Sequence, residues 1–135
     1  MQDFLIPYTS ALAACVTLGG LIFIQVLVAD LTGLKAKHVP GMPVTDGHAS
    51  FLFRATRAHA NTNENLGLFL LLMFAALLLQ ASAAWVNGLA WGFVAARALH
   101  TVCYYARWAT ARGIAFGAGL LAQFGLLISC VQALL

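Results

Sequence analysis

The chain has 135 residues, of which 62% are hydrophobic and 8% are charged. Soluble domains carry about 25% charged residues, so the composition excludes a water-soluble domain and leaves an integral membrane protein with room for one domain, residues 1–135. The formal net charge of +3 lies beside apolar runs, which assigns it to membrane orientation and not to nucleic acid.

The N-terminus, Met1-Gln2-Asp3-Phe4-Leu5, has no basic stretch, and no small-residue cleavage site follows its apolar run. A signal peptide is therefore not expected, and the first apolar run reads as a retained membrane helix. A spanning helix needs about 20 apolar residues. Four segments qualify, at 8–29, 65–83, 85–106 and 114–134, the second being the apolar part of a helix over 50–83. None alternates with period two, so helices are the expected spanning form. The fold class predicted is all-α, an integral membrane four-helix bundle.

The first connection runs from Asp30 to Ala49 and is rich in turn formers: Gly33, Pro40-Gly41, Pro43 and Asp46-Gly47. Ser50 is the expected N-cap of the second helix, whose first turns then carry residues 54–65 and whose apolar core is Leu66–Leu79. The second connection, around Asn87-Gly88, is short and uncharged. The third, Arg107 to Gly113, is short and basic. Lys35, Lys37, Arg54 and Arg57 thus share a side with Arg107 and Arg112, and basic short loops stay in the cytoplasm. Both termini are expected on the non-cytoplasmic side of a bacterial inner membrane. Arg97, within the third helix, is the one basic residue that topology leaves unexplained. Cys15, Cys103 and Cys130 lie in apolar surroundings without ligand spacing, so they read as small buried residues, with no disulfide framework and no metal site.

Polar groups survive near hydrocarbon mainly where they face a cavity or a partner. At about 100° per residue, Arg54, Arg57, Asn61 and Glu64 fall within an arc of roughly 80° on the second helix. Arg97, His100, Tyr104 and Arg107 do the same on the third, with Thr101 and Tyr105 flanking them. Facing one another, these stripes would line a cation-rich pocket at the membrane surface. Arginine forks suit carboxylates, and a glutamate can accept from an ammonium group. Such a pocket suits a small zwitterion with more than one carboxylate, beside apolar walls that suit a lipophilic second substrate. An arginine near a thiol favours the thiolate. The structural alternative is that Arg57 and Glu64 form a packing ion pair and Asn61 an interhelical contact. His59 reads as a hydrogen-bonded packing residue, and His38 and His48 carry no signal.

The run Arg57-Ala-His-Ala-Asn61-Thr-Asn-Glu64 resembles the second-helix signature of the MAPEG family, membrane-associated proteins in eicosanoid and glutathione metabolism. Arg97-Ala-Leu-His-Thr-Val-Cys-Tyr104 resembles the family's third-helix segment, and Tyr105-Ala-Arg107 the corresponding stretch of another branch. The resemblance covers nearly the whole chain. It implies a homotrimer with glutathione as co-substrate, held between subunits. Arg57, Asn61 and Glu64 carry over as glutathione-binding residues, with Arg97, His100 and Tyr104, and with Tyr105 competing with Tyr104. Arg112 matches the arginine that activates the thiol, with Arg107 in reserve, and Lys35 or Lys37 matches a first-loop basic residue. Several catalytic members place serine after that arginine, where this chain has Gly113. The implied activity is that of a glutathione transferase or peroxidase acting on lipophilic electrophiles or lipid hydroperoxides. The alternative is a non-catalytic structural or lipid-binding trimer. A small transporter is weaker, because the polar residues cluster toward one end.

Overall fold

A computed structural model describes residues 3–135. Four α-helices follow a short 3-10 segment, Asp3–Tyr8: α1 Thr9–Lys35, α2 Phe51–Leu78, α3 Ala83–Tyr105 and α4 Ala109–Leu134. They form an all-helical bundle, with no strand among the described residues. The three helical stretches Phe4–Lys35, Phe51–Leu78 and Ala109–Leu134 are long and apolar enough to cross a membrane. α3, with 23 residues, is about 34 Å long and matches its neighbours in span, but it is less apolar. Its polar residues Arg97, His100 and Thr101 are buried among the other helices, not turned to lipid.

The bundle is packed through small residues. Ala11, Ala14, Ala76, Ala90 and Ala122 are buried beside Leu18, Met73, Val86 and Leu126, and the Phe69 and Phe93 rings stack at 4.3 Å. Lipid supplies no hydrophobic drive between helices, so close backbone approach at small residues takes its place. Phe23, Ile24, Leu71, Phe74, Leu121 and Phe124 point outward. An apolar exterior of this kind would be an aggregation hazard in water and is what a bilayer solvates.

Contacts fix the two ends. Tyr8 donates its hydroxyl to the Ala81 carbonyl. Asn87 accepts from the Ala11 amide at 2.9 Å and donates to the Pro7 carbonyl at 2.9 Å, which satisfies an amide that the start of α1 would otherwise leave unpaired. The start of α1 therefore lies beside the α2–α3 turn. At the other end, His48 stacks on Tyr104 and Phe51 packs edge-on against Tyr105. The 36–50 connection and the α3–α4 turn share that end.

Helix boundaries differ from the sequence reading in four places, one of them the second connection, which lies at 79–82 and leaves Asn87 and Gly88 inside α3. α1 continues past Ala29 to Lys35, because Leu31 and Leu34 keep it apolar and Thr32 returns its hydroxyl to the Val28 carbonyl at 2.6 Å. α2 stops at Leu78, not at residue 83, since Gln80 turns left-handed at φ 50°. α4 starts at Ala109, not at residue 114, so Arg112 sits in its first turn and not in a loop. The Ser50 cap is present, accepting from the Phe53 amide at 3.4 Å.

Candidate functional site

Three of the four helix-two stripe residues, Arg57, Asn61 and Glu64, meet, and Arg54 does not join them. Arg57 and Glu64, two turns apart on α2, pair at 3.6 Å, and both are substantially exposed. Asn61 sits between them and donates to Glu64 Oε2 at 3.4 Å. Its carbonyl oxygen accepts from Arg97 Nη1 of α3 at 3.1 Å. The amide of Asn61 thus joins the carboxylate of one helix to the guanidinium of the next, and the two stripes meet through it.

Arg97 is wholly buried. Its guanidinium lies 5.6 Å from the centre of the Phe93 ring and 5.4 Å from that of Phe116, and Nη2 donates to the Phe116 carbonyl at 3.4 Å. Aromatic faces attract cations, yet no carboxylate pairs with Arg97 among the described residues, and its Nε is buried without a partner. Room for the fork comes from α4. A Cβ on Gly119 would stand 2.7 Å from Arg97 Nη2.

Toward the end of the bundle the cluster continues through aromatic contacts. His100 meets Phe116 at 6.1 Å and Tyr104 edge-on at 5.1 Å. Arg112 lays its guanidinium over Tyr104, 4.5 Å from the ring centre. His48 stacks on the same ring at 6.1 Å with planes 22° apart. Arg97, His100, Tyr104 and Arg112 therefore form one continuous cluster with Asn61, Glu64 and Arg57.

The remaining residues singled out in the sequence lie elsewhere. Tyr105 packs on Phe51 at 5.3 Å, and its buried hydroxyl has no partner. Arg107 lies beyond the last residue of α3, at φ 64° and exposed, so it does not continue the helix-three stripe as its spacing implied. Lys35 and Lys37 are exposed at the end of α1. Arg54 donates to the carbonyls of His48 and Ala49 at 2.7 and 2.8 Å and so fixes the turn that carries His48. His59 shares a hydrogen bond with Asn63 at 2.9 Å.

With one glutamate among three arginines, the cluster carries an excess of positive charge, and one of the guanidiniums, that of Arg97, is withdrawn from water. The sequence places it on the segment that matches the MAPEG family, residues 10–132 of the chain.

The chain belongs to the MAPEG family. It is accordingly an integral membrane protein of the family named for eicosanoid and glutathione metabolism. The comparison with curated proteins gives no match.

Sequence reasoning missed four contributors to this MAPEG site. His48 lies in a loop, and its approach to Tyr104 follows from chain folding alone. Phe116 and Gly119 carry no local signal, because their role is defined by a guanidinium from another helix. Gln25 did carry a signal, as a polar residue inside an apolar run. It is fully buried and reaches both α2 and α3.

Proposed function

We propose that this MAPEG protein is a membrane glutathione transferase or peroxidase acting on lipophilic electrophiles or lipid hydroperoxides, as a homotrimer with its glutathione site on the cytoplasmic side. The supporting observation is charge complementarity. Arg57, Arg97 and Arg112 bring three cations to one cluster, and Glu64 brings one carboxylate. Glutathione as the thiolate offers the converse, two carboxylates and a sulfur anion with one ammonium group. Arg57 and Arg97 take the carboxylates, Glu64 the ammonium group and Asn61 a peptide group. His100 and Tyr104 wall the site, and Tyr104, which contacts Arg112, is preferred over Tyr105, which packs on Phe51.

Arg112 is the catalytic residue in this reading. It is partly exposed, with its guanidinium over the ring of Tyr104. A guanidinium there holds the glutathione sulfur as thiolate, the nucleophilic form. In conjugation the sulfur lone pair forms a bond to the electrophilic carbon, and the leaving group departs with its electron pair. In peroxide reduction the sulfur attacks the terminal oxygen and the O–O bond breaks. The alkoxide takes a proton to become the alcohol, and a second glutathione converts the sulfenic acid to disulfide and water. Lipophilic substrates arrive through the bilayer, along the apolar helix faces.

The test is calorimetric glutathione binding to the protein in detergent, with thiolate absorbance read in the ultraviolet. Arg112→Ala should abolish the thiolate signal and conjugation while leaving glutathione affinity within about threefold of the wild type. Unchanged turnover in Arg112→Ala would remove that residue from the chemistry.

The non-catalytic reading has one observation in its favour. Arg57 pairs with Glu64 within the chain, and Asn61 bonds both Glu64 and Arg97. Under that reading Arg57→Ala and Glu64→Ala change the oligomer on size exclusion. Under the enzyme reading they stay assembled and lose glutathione affinity.

A further inference from the structure

The Asn61–Asn65 segment of α2 is held by one polar side chain from each of the other helices. Arg97 of α3 donates to Asn61 Oδ1 at 3.1 Å. Gln123 of α4 donates from Nε2 to the Asn65 carbonyl at 2.9 Å. Gln25 of α1 donates from Nε2 to Thr62 Oγ1 at 3.0 Å and to Thr101 Oγ1, on α3, at 2.6 Å. Gln25 and Thr62 are fully buried, and Thr101 and Gln123 nearly so.

A donor count shows what Gln25 does. A hydroxyl has one proton to donate. Thr62 directs its proton to the Ala58 carbonyl at 3.1 Å, and Thr101 to the Arg97 carbonyl at 2.8 Å. Each can then only accept from Gln25, so both Nε2 protons are engaged. Gln25 Oε1 is left buried without a donor, and Gln123 Oε1 likewise. A stranded buried acceptor is unfavourable. Methionine or leucine would fill the same space and strand nothing. Adhesion between helices therefore does not account for a glutamine here, whereas direction does.

The directional bonds fix a register. Thr62 follows Asn61 in the chain, and Thr101 lies one turn beyond Arg97. By tying these two turns to a single nitrogen, Gln25 sets the axial offset of α2 against α3, on which the Asn61–Arg97 contact depends. A slip of one residue is about 1.5 Å, enough to carry that contact out of hydrogen-bond range. Apolar faces packed through alanine resist such a slip weakly in lipid.

We propose that Gln25 is a positioning residue of the glutathione site, acting through Thr62 and Thr101 to align Asn61 with Arg97 and touching no ligand itself. The proposal rests on the glutathione reading above. It separates stability from affinity, which a merely structural role does not.

The experiment compares wild type, Gln25→Met, Gln25→Glu and Thr101→Val in detergent, by thermal unfolding and by glutathione calorimetry. Gln25→Met should unfold no earlier than wild type, since it removes a stranded acceptor, while its Kd for glutathione rises about tenfold. Thr101→Val, which deletes one of the two acceptors and keeps its shape, should lose affinity in the same direction. It carries the test if Gln25→Met does not accumulate. Gln25→Glu, protonated in the bundle interior with a single O–H to donate, can bond only one of the two hydroxyls and should give a Kd between those of wild type and Gln25→Met. If Gln25→Met and Thr101→Val bind glutathione as wild type does, the positioning role is overturned alone. It is also overturned if stability and affinity fall together and Gln25→Glu restores neither. A wild-type protein that binds no glutathione overturns the functional reading and the proposal with it.

Discussion

Arg97 concentrates the physics of the site into one residue. It is a buried guanidinium in a membrane helix, flanked by two rings, bonded to an amide oxygen and a carbonyl, with one donor nitrogen unpaired. An ionised group in such a place is unfavourable unless something compensates it, and an anionic ligand would. Gly119 makes the arrangement possible by leaving the space beneath the guanidinium open. Gly119→Ala should therefore move Arg97 off Asn61 and weaken glutathione binding by about tenfold. Alanine is favoured over glycine in a helix by about 1 kcal/mol, so thermal stability should hold or rise while affinity falls. Unchanged affinity on calorimetry would show that Arg97 finds an equivalent rotamer. At this scale the sequence was legible where one helix suffices: Arg57, Asn61 and Glu64 meet because three- and four-residue spacings bring side chains together. The partners of Arg97 were not legible, since Phe116 and Gly119 belong to a helix whose rotation the sequence does not encode locally.

The ends of the helices explain the boundary differences. Three C-termini close in the same way, with a 6→1 and a 5→2 hydrogen bond around a left-handed residue: Lys37 at φ 52°, Gln80 at φ 50° and Arg107 at φ 64°. Glycine is the usual residue at this position, and its absence hides the stop from a sequence reading. A side chain there is strained by roughly 1–2 kcal/mol. Arg107→Gly should consequently raise stability in detergent by about 1 kcal/mol, measured by thermal or denaturant unfolding. The same variant addresses the reserve assignment, because full conjugation activity in Arg107→Gly leaves Arg112 as the thiol-activating arginine. The start of α4 has the opposite lesson. Ala109-Thr-Ala-Arg112 is compatible with helix, but the apolar run begins only at Ile114, and the sequence reading starts the helix there. The structure folds Ala109–Arg112 into the first turn and brings Arg112 onto Tyr104.

On the scale of the whole molecule, the bundle separates its chemistry from its anchoring. The end formed by the 36–50 connection and the α3–α4 turn gathers Lys35, Lys37, Arg54, Arg57, Arg107 and Arg112, whereas the α2–α3 turn carries no Lys or Arg. Basic residues near spans favour the cytoplasm. In intact cells or sealed vesicles of native orientation, Thr45→Cys should resist an impermeant maleimide, and Ser82→Cys should react with it. Each background would have the natural cysteines replaced. The reverse labelling pattern would invert the topology and place the cluster outside.

The sequence by itself determined the bundle, the membrane and the family. Apolar runs of spanning length, few charges and a dense motif within one helix are local properties, and hydrocarbon leaves helices as the only economical backbone for such runs. Tertiary structure decided which polar groups act together. It joined Asn61 to Arg97, brought Arg112 and His48 to the ring of one tyrosine, separated Tyr105 from Tyr104, and placed Gln25 between Thr62 and Thr101. Those pairings depend on how four helices are rotated and offset against one another. That offset is set by contacts between residues far apart in the chain, each invisible to periodicity within a single helix.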